Sequence, residues 1–357
     1  MEFTKSLIKG KLVKRYKRFF ADIKANKEII TAHCPNTGSM MGLLDKDNHV
    51  WISQNNDPKR KLKYTLEIIK VKNNLVGVNT HLANKIVAEG LKNNSFKEFN
   101  NLKNIKPEVF YNKETRFDFL VNKNNKKIFI EVKNVTLFRN SKVSEFPDAP
   151  TSRGTKHIKT LIEASKKGFK SYVLFLVQIE NMKYFKIAKD IDKDYYENYL
   201  MANKSGVKFL AYKCKIDPKR IKIDKKIKII DCSWHMPQTQ RNGLEEYKNQ
   251  HIPNSIFFDL DSNSKKEINL PHMLVDQNDW IQIVSKMGIK NEDEIVVYDN
   301  SDVISSCRCW FNFIYFGHNP KLVHVLNGGL KKWINENKEV TSEVTSIKIY
   351  VFRIRYW

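Results

Sequence analysis

The chain opens on short apolar runs separated by polar or glycine-containing turns: Leu12 to Phe20, Glu28 to His33, His49 to Ser53, Leu62 to Val71 and Leu75 to Val78. Five short strands in about 80 residues predict a small β-barrel. The period then changes. Leu82, Ile86, Val87 and Leu91 recur near helical spacing and predict a helix over His81 to Leu91. Arg116 to Phe119 and Phe129 to Asn134 are strand-like runs parted by the Asn- and Lys-rich stretch Asn122 to Lys127, which is a hairpin pattern. After a polar loop, Phe146 to Gly154, Thr155 is placed to cap a helix running to Lys167. Ile158, Leu161, Ile162 and Ala164 form its predicted buried face, and Gly168 stands just past its end. Ser171 to Ile179 is almost continuously apolar, as in a strand covered on both faces. The order helix, strand pair, helix, buried strand predicts an α/β domain.

Beyond Lys225 to Lys228 the pattern shifts again. Ile229 to Trp234 reads as a strand end, Trp280 to Met287 as a helix and Glu294 to Asp299 as the end of a buried strand. Arg308 to Phe316 reads as a helix and Leu322 to Leu326 as a further strand. Alternating strands and helices predict a parallel α/β layer whose chemistry sits beyond the strand ends.

Composition adds compartment and partner. The 357 residues give room for two or three domains, and 41% hydrophobic content fills ordinary cores. No apolar run approaches the roughly 18 residues of a membrane helix, and Met1 to Lys5 lacks the apolar segment of a signal peptide. Five scattered cysteines, an odd number, argue against a disulfide framework. The expectation is a cytoplasmic protein with free thiols and no membrane partner. The net charge of +24 is unevenly held: residues 1–230 carry 49 of the 63 Lys and Arg but only 23 of the 39 Asp and Glu. Residues 231–357 carry 14 and 16, a small acidic excess. A uniform Lys-rich bias would have touched both parts, so the division predicts a boundary near residue 230 and a polyanion partner, nucleic acid, for the first part.

Candidate chemistry follows from that division. Lys14-Arg15-Tyr16-Lys17-Arg18-Phe19 interleaves cations with rings, and Pro58-Lys59-Arg60-Lys61 is a second basic cluster. Cations suit phosphates and rings suit unstacked bases, as in a barrel of the oligonucleotide-binding type. An amphipathic strand with a solvated charged face would look the same. The loop His33 to Met40 is rich in turn formers, which suits either an anion approached by backbone amides or a plain connector. On the predicted hairpin, Glu131 and Lys133 lie two apart and share a face, with Asp118 on the neighbouring strand. Two carboxylates and an amine at one point suit Mg²⁺ or Mn²⁺ held by Asp118 and Glu131, with Lys133 orienting water and offsetting phosphate charge. An exposed Asp beside a Glu–Lys ion pair is the competing arrangement. Lys156 and His157, on the first turn of the following helix, would face the same cleft, with Arg153 in the loop before it as a further nucleic-acid candidate; taken alone, His157 reads as a structural histidine. Glu89 offers a third carboxylate or a solvated helix position.

The first 230 residues resemble the sugar fermentation stimulation protein family of DNA-binding proteins. The resemblance is carried by Ala32-His33-Cys34-Pro35-Asn36-Thr37-Gly38-Ser39-Met40, Asn56-Asp57-Pro58-Lys59-Arg60-Lys61-Leu62 and Val76-Gly77-Val78-Asn79-Thr80. It continues in Arg116-Phe117-Asp118-Phe119, Glu131-Val132-Lys133-Asn134-Val135-Thr136-Leu137, Pro147-Asp148-Ala149 and Arg153-Gly154-Thr155-Lys156-His157. It implies an OB-like nucleic-acid-binding domain over residues 1–80 and a PD-(D/E)XK nuclease-like α/β domain over residues 81–230. Asp118, Glu131 and Lys133 match that fold's motif. DNA, single- or double-stranded, is the implied partner; cleavage does not follow from fold alone.

Residues 231–345 resemble the rhodanese fold, most closely the N-terminal half of tandem sulfurtransferases. The matching residues are Ser233-Trp234-His235-Met236-Pro237, His251-Ile252-Pro253, Leu270-Pro271-His272-Met273-Leu274 and Val296-Val297-Tyr298-Asp299. Arg308-Cys309-Trp310, Phe316-Gly317-His318 and Val325-Leu326-Asn327-Gly328-Gly329-Leu330 extend the match. The resemblance implies a second repeat, absent here, that carries the persulfide cysteine; Asp299 stands at the nucleophile position of this one. A carboxylate cannot carry a transferable sulfur, so the domain is expected to be inactive alone. Cys307 and Cys309 fall beyond that loop. Residues 346–357 match neither family, and loss of the second repeat by truncation or frameshift is the expected reason. Two rival functions stay in view: a sulfurtransferase completed by a second repeat, and a pure DNA-binding regulator with a vestigial site.

Overall fold

The computed structural model describes residues 1–99, 102–224, 227–266, 270–291 and 293–345. They divide into two compact units, one over Met1–Asp224 and one within Lys225–Val351. The unmatched tail at 346–357 lies outside the described residues.

The first unit begins with β1 (Ile8–Tyr16), β2 (Phe20–Ala25), β3 (Glu28–His33), β4 (His49–Gln54), β5 (Tyr64–Val71) and β6 (Asn74–Gly77). Their order is β3-β2-β1-β4-β5-β6, and a β3–β5 pairing at His33 and Thr65 closes five of them into a barrel. Leu12, Ala21, Ile23, Val50, Ile52 and Leu66 fill its interior. Gly10 permits the closure: a Cβ there would stand 2.6 Å from Ile23 Cγ2 and 2.9 Å from the Lys24 carbonyl. The run expected as one strand over Leu12 to Phe20 is broken at Lys17 and Arg18, whose φ values of 47° and 63° turn the chain into β2.

The layered domain follows: α1 (Ala83–Lys92), β7 (Lys103–Phe110), β8 (Arg116–Lys123), β9 (Lys126–Val135), β10 (Val143–Phe146) and α2 (Ser152–Lys166). It continues with β11 (Lys170–Val177), β12 (Tyr184–Ile187), α3 (Lys193–Lys204), β13 (Lys208–Asp217) and β14 (Arg220–Ile223). The main sheet runs β14-β13-β11-β9-β8-β7, with β9, β11 and β13 parallel and antiparallel hairpins at both edges. Ile86, Val87 and Leu91 of α1 pack against Phe119, Ile130 and Leu174 on one face. Ile158 and Leu161 of α2 and Tyr195 and Tyr199 of α3 pack against Phe129, Val173 and Phe175 on the other. Each such fully buried side chain is worth about 1.5–3 kcal/mol. The cap of α2 is Thr151, not Thr155: Thr151 Oγ1 accepts from the Gly154 N–H at 3.1 Å. Asp192 ties two helix starts together, accepting from the Thr151 N–H at 2.7 Å and the Tyr195 N–H at 2.9 Å.

Barrel and layers share one apolar cluster, which runs from Leu12 and Val50 to Val135 and Phe175. The His33–Met40 loop is their joint. Asn36 Nδ2 donates to Thr136 Oγ1 at 3.2 Å, and Thr80 Oγ1 donates to the Pro35 carbonyl at 2.9 Å. The anion at this loop is the chain's own Asp148, which accepts weakly from the Met40 N–H at 3.4 Å.

The second unit contains β15 (Ile227–Asp231), α4 (Gly243–Asn249), β16 (Ser255–Phe257), α5 (Gln277–Lys286), β17 (Glu294–Tyr298), α6 (Ser305–Tyr315), β18 (Val323–Val325) and α7 (Gly329–Asn335). Its sheet is parallel throughout, in the order β16-β15-β17-β18. Ile230, Phe258, Trp280, Val297 and Phe313 form its core. Among the described residues no helix is long and apolar enough to cross a membrane.

Candidate metal centre and nucleic-acid interface

Asp118 sits where β8 peels away from β9. The paired register ends at Phe119 and Ile130. Phe117 and Phe119, two apart, would share a face on a flat strand, yet Phe117 packs with Phe129 and Phe119 with the α1 cluster. The strand therefore rolls at Asp118. In the gap the Asp118 side chain stands in for a backbone acceptor: its Oδ2 accepts from the Val132 N–H at 2.7 Å, while its Oδ1 accepts from Asn84 Nδ2 at 2.7 Å. Asn84 reaches in from α1, which sequence reasoning missed.

Glu131 is almost wholly buried on β9. Lys133 Nζ donates to its Oε1 at 2.7 Å, and His157 donates from Nδ1 to the same oxygen. The other oxygen, Oε2, is buried with no hydrogen-bond partner. Burial raises the Glu131 carboxyl, but Lys133 and His157 outweigh it and hold the group below its usual range. Asp118 moves the other way. Burial, then the neighbouring charge of Glu131, push it up to about 6, against hydrogen bonds from Val132 and Asn84. Two carboxylates that repel, one with an orphaned buried oxygen, form a donor set short of positive charge. A hard divalent cation fits it, because such ions accept one or two carboxylates and complete their shell with water. Among the described residues no cluster of three or more His, Cys, Asp and Glu side chains accompanies them. Glu89 is not a third ligand, since it pairs with the Met1 amino group at 2.7 Å.

The cationic residues divide. Lys14, Arg18, Lys59, Lys61, Arg153 and Lys156 are exposed. Lys156 pairs with Glu114 at 2.8 Å, an exposed contact that solvent screens. Arg15, expected at the nucleic-acid surface, instead holds its own chain together. Its Nη2 donates to the carbonyls of Arg18, Asn36 and Gly38 at 2.8–3.0 Å, clamping the domain joint. Tyr16 is engaged too. Its ring stacks on Phe20 at 5.4 Å, Lys14 lies over it at 5.3 Å, and its hydroxyl donates to Asp22 at 3.3 Å. Arg60 donates to Thr65 Oγ1 at 3.2 Å. His157 is buried against Glu131 and does not face solvent. In exchange, the structure exposes a ring that the sequence did not single out: Phe110, 68% exposed at the end of β7.

In the second unit Asp299 follows β17 directly. Its Oδ2 accepts from the Ser306 N–H at 2.6 Å, so the carboxylate caps the start of α6, where the helix dipole favours an anion. Cys307 is exposed on α6, while Cys232 and Cys309 are buried.

Comparison with known proteins finds three matching regions along the chain. Residues 13–78 match the SfsA N-terminal OB domain, residues 81–220 the sugar fermentation stimulation protein RE domain, and residues 219–336 the rhodanese-like domain. A sugar fermentation stimulation protein homolog of Pelagibacter ubique is 74% identical over 231 residues, covering 65% of this chain and 100% of that protein. The Bartonella quintana homolog is 41% identical over 218 residues, covering 60% of this chain and 93% of its own length. Among solved structures, Pyrococcus furiosus SfsA in complex with Ca²⁺ superposes with a TM-score of 0.57 at 24% identity, over 62% of this chain and 95% of that one. The chain belongs to the sugar fermentation stimulation protein family and carries a rhodanese-like domain joined to it.

Proposed function

We propose that this protein binds DNA and that Asp118, Glu131 and Lys133 form a Mg²⁺- or Mn²⁺-dependent phosphodiesterase site. The observation that carries the reading is the buried, unpartnered Oε2 of Glu131 beside the Asp118 carboxyl, which burial and then Glu131's charge raise. Asp118 and Glu131 would hold the cation. Once bound, it would lower the pKa of a water molecule and neutralise charge on the phosphate. Lys133, 2.7 Å from Glu131 Oε1, contributes a fixed positive charge next to the reacting group. His157 and Lys133 both bond Oε1, which keeps the Glu131 carboxylate in one orientation. The OB barrel, the basic excess of residues 1–230 and the resemblance to PD-(D/E)XK nucleases support DNA as the partner. The Ca²⁺ complex of the P. furiosus protein is in keeping with an oxygen-donor site in this fold. The rhodanese-like unit is read as a module without its own persulfide carrier, because Asp299 is committed to the cap of α6.

The test is a panel of single-stranded, duplex and branched DNA with Mg²⁺ or Mn²⁺. Slow cleavage is expected from the natural chain and none from Asp118→Ala or Lys133→Ala. A panel with no cleavage at all removes the nuclease reading and leaves a DNA-binding regulator. Equal binding at low and high salt removes the electrostatic reading of DNA itself.

A further inference from the structure

A phenylalanine on the rim of the candidate centre is poorly placed to be a structural residue. Phe110 closes β7, an edge strand, and pairs across the ladder with Arg116 at the start of β8. Its ring is 68% exposed, whereas Phe117, Phe119 and Phe129 on the next two strands are at most 5% exposed. An unbranched chain of contacts joins it to the carboxylates. The Arg116 guanidinium lies 5.7 Å from the Phe110 ring centroid, and Arg116 Nε is 2.8 Å from Glu108 Oε2. Glu108 Oε1 accepts from Asn84 Nδ2 at 3.3 Å, and the same amide donates to Asp118 Oδ1 at 2.7 Å. The cation at the ring is Arg116, exposed although paired with Glu108; Lys113 is exposed in the turn between the two strands, and Glu114 there is paired with Lys156.

We infer that Phe110 and Arg116 form a stacking platform for an unpaired nucleobase, so that the site takes single-stranded or locally opened nucleic acid in preference to intact duplex. This rests on the nucleic-acid reading above and specifies its substrate class. The chemistry points one way. An exposed ring edged by cations matches a flat π-face attached to a polyanion. Bases within a duplex are stacked on one another and cannot offer that face. Of the two rings that the sequence interleaves with cations, Tyr16 is covered by Phe20 and Lys14, while Phe19 is less exposed than Phe110, at 45% against 68%.

The experiment uses the full chain in EDTA, so that neither cleavage nor metal binding enters. Anisotropy is measured with a labelled single-stranded oligonucleotide carrying 2-aminopurine and with its duplex, for the natural chain, Phe110→Ala and Phe110→Trp. Phe110→Ala should weaken single-strand binding about 5- to 150-fold and abolish the 2-aminopurine quenching that reports stacking. Duplex binding should hold, and Phe110→Trp should keep both signals. Because the ring is outside the core, the melting temperature should be unchanged, which separates lost stacking from lost folding. Equal loss on both substrates, no loss on either, or an effect on self-association alone overturns the platform. If the natural chain binds neither substrate, the nucleic-acid reading itself has failed and the platform falls with it.

Discussion

Asp118 links stability, pH and metal in one measurable quantity. Its carboxyl lies at about 6 in the folded protein against an ordinary 3.8, first through burial and then through Glu131. A carboxyl raised on folding favours the folded state while protonated. That contribution is complete below pH 3.8 and is lost as pH rises through about 6. The difference corresponds to about 3 kcal/mol of folding free energy, lost over that window in the metal-free protein. Asp118→Asn removes the charge. It also costs about 1–3 kcal/mol, because an amide cannot accept from both the Val132 N–H and Asn84 Nδ2. The net change at pH 7.5 is therefore small, and the pH dependence is the readout. Urea unfolding in EDTA at pH 4.5, 6 and 7.5 should show the natural chain losing stability relative to Asp118→Asn by about 2 kcal/mol, the part of the total that falls between pH 4.5 and 7.5. Saturating Mg²⁺ at pH 7.5 should then stabilise the natural chain and leave the variant unmoved. A difference between the two proteins that stays flat with pH would show that Asp118 is neither desolvated nor pressed by Glu131, and would refute the reasoning.

Three further outcomes separate structural from binding roles. Gly38→Ala would place a Cβ 2.1 Å from Asp148 Oδ2, so it should destabilise the domain joint by about 1–3 kcal/mol in chemical denaturation. Arg15→Ala should cost about 1.5–3 kcal/mol of stability while leaving the salt dependence of DNA binding unaltered, whereas Lys59→Ala with Lys61→Ala should lower the log–log salt slope by about 2 at unchanged stability. Asp299→Ala should cost about 1 kcal/mol through the lost cap of α6, and neither it nor the natural chain should transfer sulfur from thiosulfate to cyanide.

The candidate trio is legible in the sequence because its residues lie on one hairpin, where period and spacing decide which side chains meet. Glu131 and Lys133 do share a face and touch at 2.7 Å. Their supports are not legible. Asn84 meets Asp118 across 34 positions and His157 meets Glu131 across 26, and only the packing of α1 and α2 on opposite faces of the sheet brings them in. His157 stands out for its place near a helix start, but the register of that helix points it at Glu131 rather than at an open cleft. Strand β7 is hidden because Pro107 interrupts it and its side chains do not alternate in burial, which is the character of an edge strand. The break between β1 and β2 is hidden because Lys17 and Arg18, without Gly or Asn, adopt the left-handed backbone. Helix α3 is hidden although its cap, Asp192, is visible, because its tyrosines and charges make a weak stripe.

Charge poses a different problem. The basic excess of residues 1–230 predicts a polyanion partner but cannot say which cations meet it, since a guanidinium can equally bind its own chain. Arg15 shows the ambiguity. Its motif interleaves cations with rings, yet its donors go to three carbonyls at the joint between barrel and layers. Tyr16, in the same motif, is closed off by Phe20. Once these are set aside, the singled-out cations that stay exposed are Lys14, Arg18, Lys59, Lys61, Arg153 and Lys156, Phe19 of the same motif is 45% exposed, and Phe110 is an exposed ring on the strand paired with that of Asp118. The binding surface and the candidate centre then become one problem. Asn84, Glu108 and Arg116 connect the ring that would hold a base to the carboxylate that would hold the metal, so a change at either end should be felt at the other.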